Sequence, residues 1–184
     1  GNVYFGTIGE GNQIYGFNSG GSQIWSQSHP DQSPASGRIT VGGGSVYALL
    51  FNGRVLAMDK NSGSEVWSVL LPDNIVGSPA VAPSGRVYAG CLDSRFRAVE
   101  SSGVIWDFTT GDEVRSTAAI GSQGVVYFAS NDGYLYAANE SDGSHVWATE
   151  IEGNIEGEIL LVEEESALYV PSSSGYLYRV NANT

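Results

Sequence analysis

Few residues in this sequence have the types and spacing that catalysis requires. The sequence contains one cysteine, Cys91, and two histidines, His29 and His145, which are 116 positions apart. This spacing matches neither a metal-ligand pattern nor a Ser-His-Asp arrangement, and no Gly-x-Ser-x-Gly nucleophile elbow is present. We therefore expect Cys91 to be a buried structural thiol. The sequence predicts no catalytic, cofactor-binding or metal-binding residue, and no cofactor.

The best candidate for a metal site is the segment from Asp59 to Glu65. Asp59, Asn61, Gly63 and Glu65 alternate as oxygen ligands do in some calcium-binding loops. The acidic residue that such a loop carries at its twelfth position is absent. An Asx-type hairpin turn explains the same residues and recurs elsewhere in the chain. We therefore predict a turn here and not a calcium site.

A cluster of acidic residues is the most unusual feature of the sequence. Residues 101–184 contain thirteen acidic and two basic residues, and seven glutamates occur within sixteen positions. These glutamates are Glu150, Glu152, Glu156, Glu158, Glu163, Glu164 and Glu165. Loops that converge at one rim would combine them into a negative patch that attracts a basic peptide or binds cations. We favour the alternative, a solvated rim that keeps the protein soluble, and retain the seven as a candidate binding patch.

The overall composition excludes several classes of function. The 184 residues contain 20 acidic and 8 basic residues, which gives a net charge of −12. This charge argues against nucleic-acid partners and anionic lipid surfaces. The longest aliphatic run, residues 159–162, is too short to cross a bilayer, so we predict no membrane insertion. One cysteine excludes an internal disulfide framework.

Two independent markers show that the sequence is a repeat. Four tryptophans are spaced 42, 39 and 41 residues apart: Trp25, Trp67, Trp106 and Trp147. An aliphatic-tyrosine pair recurs at intervals of 43, 41, 39 and 42 residues, with its tyrosines at Tyr4, Tyr47, Tyr88, Tyr127 and Tyr169. Both markers give a period of about 41 residues.

Each period contains four short segments rich in Val, Ile and Tyr, separated by turn residues. Asn52-Gly53 and Asp132-Gly133 are strong hairpin signals, because both turn positions need positive φ. The sequence therefore predicts an all-β fold, a β-propeller of four-stranded antiparallel blades. About 4.5 blades are present, and we expect them to be part of a larger ring. The predicted units are a partial blade over 1–27, blades over 36–70, 77–109 and 115–150, and a partial blade over 157–184.

The segment around each tryptophan resembles the tryptophan-docking motif of the PQQ-like (quinoprotein-dehydrogenase-like) β-propeller repeat family. Ala57-x-Asp59-x-x-x-Gly63-x-x-x-Trp67 fits that motif at every fixed position. The segment from Ala137 to Trp147 fits with Asn139 in place of Asp and with Gly143 as its glycine. The repeats that end at Trp25 and Trp106 are shortened variants. WD40 repeats have a similar period, but Gly-His pairs are absent and only Trp106-Asp107 supplies the terminal pair.

The residues of this motif have structural roles. A large indole on an outer strand can lie between blades while its N–H bonds a carbonyl of the next blade. Asp59 or Asn139 can bond main-chain N–H groups within its own turn, and Gly63 or Gly143 can take the left-handed conformation that this turn needs. We therefore interpret Trp25, Trp67, Trp106 and Trp147 as packing residues.

The family resemblance implies two alternative functions. Quinoprotein dehydrogenases of the family use calcium and often a vicinal cysteine pair, which Cys91 alone does not supply. Other members are non-catalytic, including one in bacterial outer-membrane assembly, and secreted or periplasmic members dominate. We favour a non-catalytic binding or scaffolding module, extracellular or periplasmic, whose partner is a protein or another domain of the same polypeptide. The alternative is a segment of a larger quinoprotein-like or multidomain enzyme with its active site elsewhere.

A glycan is a second class of partner for such a module. Aromatic side chains at loop edges stack on sugar rings, and Tyr134, Tyr176 and Phe96 are the candidates for this role. Packing at the strand edges explains the same three residues equally well.

Overall fold

The computed structural model describes residues 1–8, 11–28 and 31–183, without the side chain of Glu165. These residues form eighteen β-strands in five antiparallel sheets. An all-β architecture with several four-stranded antiparallel sheets is therefore confirmed. Within the described residues, no helix is both long and apolar enough to cross a membrane.

The first three sheets follow one another along the chain. Sheet 1 contains β1 (Val3–Gly6), β2 (Gln13–Phe17) and β3 (Gln23–Ser28). Sheet 2 contains β4 (Thr40–Gly42), β5 (Ser45–Leu49), β6 (Arg54–Asp59) and β7 (Glu65–Leu70). Sheet 3 contains β8 (Ala80–Val81), β9 (Val87–Gly90), β10 (Arg95–Glu100) and β11 (Gly103–Thr109).

Two further sheets complete the described chain. Sheet 4 contains β12 (Ala119–Ile120), β13 (Val125–Ala129), β14 (Tyr134–Asn139) and β15 (His145–Glu150). Sheet 5 contains β16 (Leu160–Val162), β17 (Ala167–Pro171) and β18 (Leu177–Asn181). A 3₁₀ turn, Glu163–Glu165, joins β16 to β17.

Each sheet is a simple meander in which consecutive strands are neighbours. Gly53 and Gly133, with φ of +90° and +86°, close the hairpins between the second and third strands of sheets 2 and 4. The pairing register shifts once in sheets 1 to 4, directly after the residue that pairs with the tryptophan. This repeated β-bulge determines the direction in which the indole side chain projects from the outermost strand.

The innermost segments of successive sheets are joined by a series of hydrogen bonds. The Arg38 N–H donates to Ser78 Oγ at 2.9 Å, and the Ser78 N–H donates to Thr117 Oγ1 at 3.0 Å. The Thr117 N–H in turn donates to the Gly157 carbonyl at 3.1 Å. Only small side chains fit at this approach, since a Cβ on Gly37 would lie 2.4 Å from the Gly77 carbonyl oxygen.

Four buried clusters lie between the sheets, one at each junction of consecutive sheets. The cluster between sheets 3 and 4 is the most aromatic, and Phe96 and Phe128 stack there with ring centroids 3.9 Å apart. Sheets 2, 3 and 4 thus bury both of their faces. Small residues on the inner side and large aromatic residues farther out give each blade the shape of a wedge.

The hydrogen bonds between the inner segments should contribute measurably to stability. Thr117 is 9% exposed, and Thr117→Val keeps its shape while removing the acceptor of the Ser78 N–H. We expect this change to lower the free energy of unfolding by about 1–3 kcal/mol, the cost of an unsatisfied donor. Urea denaturation measures it. Thr109→Val, at an exposed position of β11, is the control; equal losses from both variants would contradict this role of Thr117.

Candidate functional site

Two of the four tryptophans bond the main chain of the next sheet. Trp25 and Trp106 are 6% and 8% exposed. Their indole Nε1–H groups donate to the carbonyls of Lys60 and Glu140, each at 3.0 Å. Both carbonyls lie in the turn between the third and fourth strands of the following sheet. We call this five-residue segment, 60–64 in sheet 2 and 140–144 in sheet 4, the docking turn.

A glycine of the docking turn lies against the face of the incoming indole. Gly63 and Gly143 have φ of +71° and +73°, in the left-handed region. A Cβ on either glycine would lie 2.6 Å from ring atoms of Trp25 or Trp106, respectively. Glycine is therefore needed here for two reasons, the backbone conformation and the contact with the ring.

The polar residue that precedes the docking turn organises the turn itself. Asp59 Oδ1 accepts hydrogen bonds from the Asn61 and Ser62 N–H groups at 2.9 and 2.8 Å. These bonds hold the pKa of Asp59 below its ordinary value. The turn is therefore best stabilised above that ordinary value, and this stabilisation is lost as the pH falls through the lowered pKa. In sheet 4, Asn139 Nδ2 donates to Ser144 Oγ at 2.6 Å.

The oxygen atoms that a calcium loop would need serve other purposes here. Asp59 Oδ1 is occupied by its own turn, and Glu65 Oε1 accepts the Ser68 hydroxyl at 2.8 Å. In the described ranges, no group of three or more His, Cys, Asp or Glu side chains is arranged to hold a metal ion. The local contacts of residues 59–65 are those of a hairpin turn.

Trp67 and Trp147 are only half-buried, and their indole nitrogens make no hydrogen bond within the described residues. In sheet 3, which follows Trp67, the turn equivalent to a docking turn lies between β10 and β11 and has two residues, 101 and 102, instead of five. The shortened third repeat therefore changes the environment of the tryptophan in the preceding blade. Trp147 lies near Ala182 and Asn183, which follow β18. Thr184 lies outside the described residues.

The repeated tyrosine is a second donor to the same turns, which sequence analysis did not identify. The Tyr4 hydroxyl donates to the Lys60 carbonyl at 3.0 Å, so that this carbonyl accepts two bonds from sheet 1. The Tyr127 hydroxyl donates to the carbonyl of Ala182, the matching position in sheet 5, at 3.1 Å. The regular recurrence of the tyrosine in the sequence is the signal that indicates a repeated structural role for this residue.

Sheet 3 departs from this pattern. Arg86 Nη1 donates to the Glu140 carbonyl at 2.6 Å, beside the Trp106 indole, and takes the place that Tyr4 has in sheet 1. The Tyr88 hydroxyl is buried beside Arg86 and Glu140 but makes no hydrogen bond of good geometry within the described residues. Burial raises the pKa of Tyr88, so its hydroxyl stays protonated. Arg86 therefore occupies the carbonyl that the Tyr88 hydroxyl would otherwise bond.

The seven clustered glutamates do not lie on one face. In a meander blade, the turn after the first strand and the turn after the third lie at one end, and the connection to the next blade lies at the other. Glu163, Glu164 and Glu165 follow the first strand of sheet 5, whereas Glu152 and Glu156 belong to the connection from sheet 4. The cluster in the sequence is therefore divided between the two faces of the fold.

The individual glutamates also have different surroundings. Glu150, which ends β15, is exposed like Glu152, Glu156 and Glu164, and it lies at the end of sheet 4 from which the connection leaves. Glu158 forms an ion pair with Arg38, which links the inner segments of sheets 5 and 2. Glu163 accepts the N–H and the hydroxyl of Ser122 at 2.8 and 3.0 Å, which links sheets 5 and 4. Two of the seven therefore act as structural links.

The described candidates for nucleophilic and acid–base chemistry are parts of the packing. Cys91 is 0% exposed, and burial raises the pKa of its thiol to about 11, so that it is protonated at neutral pH. The His145 ring stacks on Phe108, with centroids 6.2 Å apart. His29 lies outside the described residues.

The predicted sugar-stacking residues divide into two groups. Tyr134 and Tyr176 are 40% and 64% exposed, as stacking on a sugar requires. The prediction is wrong for Phe96, which is 0% exposed. Its position on the third strand directs the side chain between sheets 3 and 4, against Phe128.

A methyl group at the docking glycine should destabilise the fold more than backbone strain alone. Gly63→Ala adds overpacking against Trp25, which costs about 1–3 kcal/mol. Gly21 has φ +80° and nothing within 4 Å of its Cβ position, so Gly21→Ala incurs only the strain of about 1–2 kcal/mol. Chemical denaturation of both variants separates the two effects. Equal losses would show that the indole contact is unimportant.

The two buried tyrosine hydroxyls should respond in opposite ways to removal. Tyr127→Phe loses the bond to Ala182 and should lower the free energy of unfolding by about 0.5–1.5 kcal/mol. Tyr88→Phe removes an unpaired buried hydroxyl and should leave stability unchanged or raise it. The thermal midpoints of the two variants make the comparison. A loss at Tyr88 as large as that at Tyr127 would contradict the assignment.

Comparisons with known proteins identify one family. The family model for outer membrane protein assembly factor BamB matches residues 10–103 and 92–184. The BamB of Moranella endobia is 26% identical over 153 residues, which are 76% of this chain and 37% of that protein. The BamB of Yersinia pestis is 30% identical over 107 residues, which are 56% of this chain and 26% of that protein.

A solved structure agrees in fold. The crystal structure of BamB from Moraxella catarrhalis superposes with a TM-score of 0.77 at 17% identity, over 98% of this chain and 60% of that chain. The chain thus spans less than two thirds of each of these three proteins. Together with the family match over nearly all residues, this fold confirms the PQQ-like β-propeller resemblance. The chain belongs to the BamB family of PQQ-like β-propeller repeat proteins.

Proposed function

We propose that this chain is a non-catalytic scaffold of the machinery that assembles outer membrane proteins, and that it acts by binding protein partners. The observation that carries the proposal is the family match over residues 10–184, since the relatives it groups are named outer membrane protein assembly factors. A repeat array of this kind is rigid and offers turns at two faces and strand edges at its rim. These surfaces suit protein recognition.

The chemistry of the described residues supports binding over catalysis. The thiol of Cys91 is buried and protonated, and the Asp59 carboxylate is occupied by its own turn. The tryptophans fit a packing role, which we propose for all four: Trp25, Trp67, Trp106 and Trp147. Under this proposal, Gly63 and Gly143 contact the indoles within the docking turns, and Asp59 and Asn139, which precede those turns, organise them.

We further propose that the chain works on the periplasmic side of a bacterial outer membrane, where proteins destined for that membrane are present before they insert. Its blades, with the boundaries predicted above, would form one part of a larger ring. The divided acidic residues leave Glu152 and Glu156 on one face and Glu163 and Glu164 on the other. A glycan partner is the secondary candidate, supported by the exposed Tyr134 and Tyr176.

A chimera tests the proposal. In a bacterium that lacks its own BamB, the blades of a full-length BamB that match this chain are replaced by these 184 residues. We expect the chimera to restore the amount of folded outer membrane proteins, measured by heat-modifiability on gels. The matched control is a chimera with the same number of blades from a quinoprotein dehydrogenase. If both chimeras fold and neither restores assembly, or both do equally, the proposed role is wrong.

A further inference from the structure

An aromatic cluster fills the outer part of the junction between sheets 3 and 4. Phe108, on the outermost strand of sheet 3, lies 5.2 Å from Phe128 and 5.3 Å from Tyr136, measured between ring centroids. His145 covers Phe108 from the outermost strand of sheet 4, at 6.2 Å. Phe96, which pairs with Phe108 across sheet 3, completes the cluster.

The same positions carry smaller or polar residues in the junction between sheets 1 and 2. Gln27 pairs with Ile14 two residues after Trp25, just as Phe108 pairs with Phe96 two residues after Trp106. Leu56, the residue before Ala57, corresponds to Tyr136, the residue before Ala137.

Two more positions complete the comparison. Glu65 pairs with Met58 as His145 pairs with Ala138, so that a carboxylate stands where the imidazole covers Phe108. Ala48, one residue after Tyr47, corresponds to Phe128, one residue after Tyr127. The five rings of this aromatic cluster, Phe96, Phe108, Phe128, Tyr136 and His145, are thus all replaced by non-aromatic residues in the junction between sheets 1 and 2.

A groove of about 210 Å³ results at the rim between sheets 1 and 2. Its walls are Ile14, Gln27, Ser28, Leu56, Met58, Gly63 and Glu65. A dry apolar cavity of about 150 Å³ is large enough to hold a benzene ring. Pockets for drug-sized ligands begin at about 300 Å³. The rim groove therefore matches a single aromatic side chain better than a free small molecule.

The polarity of the groove indicates what surrounds that side chain. Ile14, Leu56 and Met58 are at most 3% exposed and form an apolar floor. Gln27 and Glu65 are exposed at the opening, and in the described residues Glu65 accepts the Ser68 hydroxyl but forms no ion pair. With a net charge of −12, the protein favours a basic partner. Beside the groove, β3 is the edge strand of sheet 1 and pairs only with β2 among the described strands.

We propose that the rim groove binds an aromatic side chain of a partner protein, presented by an extended segment with a basic residue next to it. The partner's ring takes the place that Phe108 has in the equivalent junction, and its basic residue pairs with Glu65. This inference rests on the proposed function as a protein-binding scaffold and names one surface and one partner chemistry for it. The binding is non-covalent and needs no cofactor.

The sequence offers a selective reporter for the test. Met58 is the only methionine, so a chain labelled with ¹³C-methyl methionine gives one resonance, which comes from the floor of the groove. The probe is a capped heptapeptide, Ser-Thr-Lys-Phe-Lys-Thr-Ser, titrated into the full chain. We expect a saturable shift of the Met58 methyl resonance, because an aromatic ring perturbs nearby methyl groups strongly.

Two comparisons make the test specific. The same peptide with Ala in place of Phe should bind about ten- to a hundredfold more weakly, the equivalent of burying one phenylalanine side chain. Gln27→Phe, which fills the groove from within as Phe108 does, should abolish the shift. Gln23→Phe makes the same change at an exposed position of the same strand and should leave the shift intact.

Each outcome decides the question. An unshifted Met58 resonance, equal binding of the Phe and Ala peptides, or unchanged binding by a folded Gln27→Phe variant overturns the inference. If Gln27→Phe does not fold, the peptide comparison on the unmodified chain still decides. A chimera that restores outer membrane protein assembly while carrying Gln27→Phe would reject the groove as the working surface and leave the proposed function intact.

Discussion

Three of the four junctions between consecutive sheets share one interaction, the hydrogen bond from a large aromatic side chain of one sheet to a main-chain carbonyl of the next. A single blade cannot cover its own apolar faces, so its stability depends on the neighbouring blades that pack against them. The carbonyl of Lys60 accepts both the Trp25 indole and the Tyr4 hydroxyl, and it uses both lone pairs for one neighbour. Such a bond fixes the distance and the rotation between sheets, which apolar packing alone does not specify.

A second constraint acts on the inner side of the sheets and fits with the first. Ser78 and Thr117 link the inner segments through short hydroxyl groups, and Gly37 allows close contact with Gly77. Because these residues are small while the outer positions carry indole and phenyl rings, successive sheets must diverge outward. For the same reason, a large aromatic residue at an inner position, or a glycine in place of an outer ring, would be incompatible with the fold.

Much of the fold could be predicted from the sequence because its signals are local and repeated. Tryptophan spacing, the tyrosine period and the Asn52-Gly53 turn each indicate short antiparallel strands without any knowledge of distant contacts. The environment of each tryptophan was less accessible, since it depends on the turn of a neighbouring blade about 35 residues away. Trp67 illustrates this: its own motif is complete, but the equivalent turn in sheet 3 is short.

The surface was harder to predict than the core, for a related reason. Glu158 and Glu163 are close in sequence, yet Glu158 pairs with Arg38 at sheet 2, two sheets removed along the chain. Glu163 instead accepts hydrogen bonds from Ser122 of the adjacent sheet. A run of like charges in the sequence does not show where the charges lie in the fold, because a meander places alternate turns on opposite faces. Phe96 is an example of the opposite kind, a residue predicted to be exposed that is buried, because its burial is determined by the sheet that packs against it.

The polar groups that organise the docking turns are already used within the array, and this restricts where function can reside. The Asp59 carboxylate, the Lys60 carbonyl and the Tyr127 hydroxyl all bond other parts of the chain, so they are not available to a ligand. What remains are positions where one repeat differs from its neighbours without any loss to the fold. Gln27 is such a position, since sheet 3 has Phe108 there and sheets 2 and 4 have Val69 and Thr149. Sheets 1 and 2 still dock through Trp25, and the space that the Phe108 ring fills in the other junction stays open to a partner.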